Sequence, residues 1–161
     1  MDDENTSDNM GTVLTANAHD LTQEINWFAE VLNLRLTSYF DPEKNHHSIF
    51  ELPPPNLNHS PSYYAQFIQH YQFSVPERLV ILLALMPHIR PQVLDILWSK
   101  NEMTDRGFTE FGGWQSPTHS GFIPTGETAM FILAGEDLTA RFELIYLFDI
   151  KHIFLSITYC I

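Results

Sequence analysis

Leu79 to Met86 is an unbroken apolar run of eight residues, the longest in the sequence, and it lies between Pro76 and Pro87. A helix that crosses a bilayer needs about 20 apolar residues, so this run is read as the buried helix of a globular domain. Ser74 supplies an N-cap and Pro76 falls in the first turn, where a missing N–H costs nothing. Glu77, three residues after Ser74, completes a capping box. Beyond Arg78 the segment ERLVILLALM is apolar on nearly every side, which predicts the centre of the core. Pro87 is expected to end it.

Other helices are predicted around it. Ser60-Pro61 reads as the N-cap and first turn of SYYAQFIQHY. Pro91 opens QVLDILWSK, where Val93, Leu94, Leu97 and Trp98 form an apolar stripe. Upstream, Asp20 reads as an N-cap before Leu21, Ile25, Phe28, Val31, Leu32 and Leu36, which recur at helical spacing until Asp41-Pro42. Residues 20–40 are therefore an amphipathic helix. Residues 41–59, with Pro42, Pro53, Pro54 and Pro55, read as a Pro-rich linker or surface loop with a short extended piece at Ser48–Leu52. Residues 1–19 carry Asp2, Asp3, Glu4 and Asp8 without periodicity and are expected to be a disordered acidic tail.

The character changes over 101–124. Gly107, Gly112, Gly113 and Gly121 punctuate short aromatic pieces, the pattern of a long loop or loose hairpin. Thr125 then caps GETAMFILAG with Gly135 at its end, Asp137 caps LTARFELIYLF, and HIFLSITYCI reads as a strand. The expected fold is mainly α with a small β hairpin or wing. It is a winged-helix-like α+β single domain over 60–161 with an extra N-terminal helix. The apolar ending ITYCI is expected either of a strand docked into a sheet or of a chain cut short.

Charge narrows the function. The 161 residues hold 20 Asp and Glu against 8 Lys and Arg, a net charge of −12. Phosphate contacts need clustered Lys and Arg, so nucleic acid is not an expected partner, and a polybasic membrane anchor is excluded by the same count. The helix GETAMFILAG, the would-be recognition helix of a winged-helix regulator, has neither Lys nor Arg. The acidic N-terminus has no apolar stretch for an export signal, and the single cysteine, Cys160, rules out an intramolecular disulfide. A cytoplasmic protein is expected.

No catalytic or cofactor motif is present. There is no Gly-Lys pair for a phosphate-cradling loop and no GxGxxG, so no cofactor is expected. The eight histidines show neither HExxH nor HxH, so no metal is expected. His119, nine positions after Glu110, offers with Glu110 or Glu127 the pieces of an alternative, a small His/Glu-dependent hydrolase. The parts of a catalytic site are otherwise missing, and the chain is expected not to be an enzyme.

The stretches ERLVILLALMPHIRPQVLDILWSKN and RGFTEFGGWQSPTHSGFIPTGETAMFILAGEDLTAR resemble the region that precedes the ATPase core in a group of bacterial AAA-type ATPases. Some of those proteins are associated with contractile injection machines. The resemblance implies a winged-helix-like, non-catalytic N-terminal domain that binds protein partners, an ATPase core or an injection-machine component among them. The ATP-binding loop, the Mg-binding acidic strand end and the arginine finger of such ATPases follow this region. None has a counterpart in these 161 residues, and no catalytic residue carries over. The expected interaction surface is the aromatic, glycine-rich segment, with Phe108, Phe111, Trp114, His119 and Phe122, because interface hot spots use aromatics. The competing expectation is that these rings fill the core beneath the wing.

Overall fold

The structure, a computed structural model, describes residues 3–44 and 47–149. It is mainly helical and carries two small antiparallel two-stranded sheets. The longest element is α1, Asp3–Phe40, which packs against α2 (Tyr63–His70), α3 (Val75–Ile89) and α4 (Gly126–Ala134).

Helix α1 does not begin at Asp20. It runs through residues 3–19, the stretch expected to lack order. That stretch holds no proline and a single glycine, Gly11, and turns add readily to a helix already nucleated and docked further along. Asp20 is buried inside the helix and accepts hydrogen bonds from the hydroxyls of Ser60 and Ser62, each at 2.5 Å. A buried carboxylate is tolerated when its oxygens are met in this way. Ser60 is thereby taken out of the capping role. The N-cap of α2 is Ser62, whose Oγ accepts from the Ala65 amide at 3.0 Å.

Residues 47–59 lie on α1 rather than separating two units. Ile49 and Leu57 are buried in the common core, and Trp27 Nε1 donates to the Leu52 carbonyl at 3.1 Å. The piece expected to be extended at Ser48–Leu52 is a 3-10 turn, Ile49–Glu51, capped by Ser48.

The capping box of α3 forms as predicted, with the Ser74 amide donating to Glu77 Oε2 at 2.7 Å. Two expectations about this helix fail. It passes through Pro87 to Ile89 before Arg90 closes it by donating to the Met86 carbonyl at 2.9 Å. Nor is it the enclosed centre. Leu79, Leu82, Leu83 and Met86 are buried, whereas Val80, Ile81 and Leu85 are half-buried and Ala84 is exposed. The more enclosed helix is α4, where Thr128, Ala129 and Phe131–Ala134 are buried, although Gly126 and Glu127 at its start are exposed. An apolar composition makes a helix fit for burial, but the neighbouring elements decide which one is more fully covered.

Pro91–Trp98 is a 3-10 segment rather than an α-helix, bonded Val93 N–H to Arg90 O and Ser99 N–H to Ile96 O. Its three-residue turn stacks Leu94 over Leu97, and these two are its buried residues. Two hairpins follow. Strand β1 (Lys100–Asn101) pairs with β2 (Arg106–Gly107), and β3 (Trp114–Ser116) pairs with β4 (His119–Ile123) across the Pro117-Thr118 turn. The loose hairpin expected here is therefore real, joined by a second, smaller one. Strand β4 packs on the 3-10 segment, with Phe122 edge-on to Trp98 at 5.0 Å. Gly113, at φ +92, makes room for it, since a Cβ there would stand 2.5 Å from the Phe122 ring.

Thr125 and Asp137 cap α4 and α5 (Leu138–Leu144) as the sequence indicates, and α5 runs into a 3-10 turn, Ile145–Phe148. The strand expected over 152–161 lies outside the described residues. Among the described residues no single helix is long and apolar enough to cross a membrane.

Candidate interaction surface

The five residues expected to form the surface do not share one environment. Phe111 and Phe122 are fully buried. Phe111 sits on Thr109–Phe111, a 3-10 turn that packs on α4, and its ring lies 4.6 Å from that of Phe131. Phe108 is half-buried against Tyr39, Phe40 and Phe111. Trp114, 65% exposed, and His119 face outward from the β3–β4 hairpin. Phe111 and Phe122 therefore fill the core, while Trp114 and His119 are exposed. In a two-stranded hairpin one face has a helical neighbour to cover it and the other has none.

Among the described residues, a further uncovered apolar face lies on α5. Helix α5 has no buried residue. Leu138, Phe142 and Ile145 are 67%, 71% and 61% exposed. Their spacing places them on one stripe, which Phe148 continues at 41% exposed. The outer side of α5 is thus apolar, while its start is capped and its middle is tied to the preceding segment. Asp137 caps the start by accepting from the amides of Thr139 and Ala140. Arg141 ties the helix back, donating to Gly135 O at 2.6 Å and to Glu127 Oε1 at 2.8 Å. A monomer seldom leaves a contiguous apolar patch of several hundred Å² in water, and such patches mark contact sites. The signal was present in LTARFELIYLF as helical spacing, but spacing says only that a stripe exists, not which side of it the rest of the chain covers.

The carboxylates that were candidate partners of His119 are engaged by other groups. Glu110 accepts from the Tyr39 hydroxyl at 3.0 Å. A backbone hydrogen bond, with Tyr39 and Thr109 adding to it, holds its carboxyl below the ordinary range. Burial, then the bond to Glu110, pushes the Tyr39 phenol up to about 12. Glu127 is paired with Arg141. Among the described residues no group of three or more His, Cys, Asp or Glu is placed to hold a metal ion.

The other strongly perturbed group lies in the core. Glu24, fully buried, accepts from Tyr64 Oη at 2.7 Å and from Arg78 Nη2, and that nitrogen also donates to Pro55 O at 3.1 Å. The Arg78 guanidinium lies over the Trp27 ring at 5.5 Å. Burial, and after it the charge of Glu24, drives the Tyr64 phenol far above its usual range. This cluster ties α1, α2, α3 and the 53–57 segment together. Perturbed groups gathered in a cleft point to chemistry, whereas these are closed off and bonded to one another.

No protein-family model, curated protein or solved structure matches this chain.

Proposed function

We propose that this chain is a non-catalytic protein-interaction module and that the outer face of α5 is its principal contact surface. The observation that carries the reading is the stripe of Leu138, Phe142 and Ile145, exposed on a helix that Asp137 caps and Arg141 ties back to Gly135 and Glu127. Large apolar side chains presented on a rigid element are what a partner can desolvate at low entropic cost. The Trp114 edge of the β3–β4 hairpin is a second, smaller contact.

The resemblance over residues 77–152 gives this reading its setting. The module is the N-terminal, winged-helix-like part of an AAA-type ATPase of the cytoplasm, and its partner is an ATPase core or a component of a contractile machine. Capped helices flanking an aromatic hairpin agree with that kinship. The other winged-helix role, reading a DNA groove, is disfavoured because most of α4 is buried and it carries no cation.

The test is to mix the purified chain with the core of such an ATPase and follow complex formation by calorimetry. Binding that disappears in Phe142→Asp, with the unfolding midpoint unchanged, supports the proposal. Equal binding by the variant, or turnover of ATP by the chain alone, would overturn it.

A further inference from the structure

The two hairpins and the end of the 3-10 segment enclose a cleft of about 470 Å³ lined by Trp98, Lys100, Gly107, Ser116, His119 and Ser120. Ligand sites have volumes of roughly 300–1,000 Å³, with a few convergent polar groups on a mainly apolar wall. Here the wall is the half-buried Trp98 ring, fixed from behind by Phe122. The polar residues of the lining are Lys100, His119, Ser116 and Ser120, of which Ser116 also shares a hydroxyl contact with Thr118 at 3.0 Å. Among the described residues lining the cleft none carries a carboxylate, although the chain has 20 of them.

Several of the described cations are engaged within the fold. Arg35, Arg78 and Arg141 donate to carbonyls or carboxylates of the fold, and Lys44 pairs with Asp41. Lys100 has only an exposed contact of 3.2 Å to Asp105 on its own hairpin, the kind of pair that adds little and is readily exchanged. The geometry is set by two registers, Lys100 opposite Gly107 and Ser116 opposite His119. Gly121 lets the His119 ring lie close along β4, since a Cβ there would be 3.2 Å from Nε2.

We propose that this cleft binds a ligand through an oxyanion group, a carboxylate or a phosphate. Lys100, His119 and the two serine hydroxyls would hold the anion, and Trp98 would contact the adjoining part of the ligand. Lys100 exchanges Asp105 for the ligand, and the absence of a side chain at Gly107 keeps the entrance open. The site is independent of the α5 face.

The experiment titrates the isotope-labelled full chain with inorganic phosphate and, separately, with glutarate, following amide and indole shifts by NMR. Saturable shifts at the Trp98 indole and at the Gly107 and Ser120 amides are expected from at least one of the two, and which one identifies the anion. Gly107→Leu fills open space, because no atom lies within 4 Å of the Cβ position, and should abolish the shifts in a folded protein. Lys100→Ala should weaken binding at least tenfold and Lys44→Ala should not. Absence of saturable shifts with both probes, or shifts that persist unchanged in Gly107→Leu and Lys100→Ala, would overturn the proposal.

Discussion

Arg35 closes the carboxy end of α4 in the space left by Gly135. Its Nε donates to the Ile132 carbonyl at 2.8 Å and its Nη2 to the Leu133 carbonyl at 3.1 Å. Gly135 stands at φ +59, and a Cβ on it would lie 2.9 Å from Nη1. The guanidinium thus meets carbonyls that a helix end leaves unpaired, at the end where a positive charge is favoured.

Gly135→Ala combines left-handed strain with this clash and should cost about 1–3 kcal/mol. In an Arg35→Ala background the clash is gone, so the penalty should shrink toward the backbone term. Denaturant unfolding of the four proteins in the cycle checks this, and strictly additive effects would contradict the contact.

Glu24 and Arg78 should behave as a buried pair. Removing one partner strands the other charge, so Glu24→Ala is expected to cost about 3–5 kcal/mol. Replacing both with methionine removes both charges and should cost much less than the sum of the single changes. Urea midpoints of the single and double variants distinguish the outcomes.

Alkaline sensitivity should carry a contribution from Tyr39 beside that of the more strongly raised Tyr64. The folded pKa of Tyr39, about 12, lies above the ordinary value of 10.0, so folding favours the protonated phenol. That contribution is complete below pH 10 and is lost as pH rises through about 12. Glu110 is shifted down, so its contribution is present above the ordinary carboxylate range and lost on acidification. Tyr39→Phe should partly flatten the fall in melting temperature on the alkaline limb, as read by calorimetry across pH 9–12. It should also cost about 1 kcal/mol at neutral pH for the lost hydrogen bond.

Two phenylalanines eleven positions apart should give opposite results. Phe131 is fully buried and Phe142 is 71% exposed. Phe131→Ala should lose about 3–5 kcal/mol, while Phe142→Ala should stay within about 0.5 kcal/mol and act on association instead. Trp114→Ala belongs with Phe142→Ala. Thermal melts paired with sedimentation separate the two classes.

Local chemistry carried much of the fold. Ser74 with Glu77, Thr125, Asp137 and Asp41-Pro42 mark helix ends by groups a few residues apart, and the structure keeps all four. Asp20 and Ser60 were misread because each has the chemistry of a cap. Their partners lie 40 residues away in the chain, and such pairing leaves no local pattern. The aromatic segment was legible as a hairpin but not as a surface, since alternate rings of a strand face opposite environments.

Sequence alone therefore determined the mostly helical class, the surplus of negative charge and the positions of most helix ends, because capping, proline and periodicity act within a turn or two. Tertiary packing decided that α4 is more enclosed than α3, that the stripe of α5 faces outward, and that Trp98, Lys100 and His119 share a cleft. Those outcomes depend on which faces meet, a property of the assembled elements and not of any one of them.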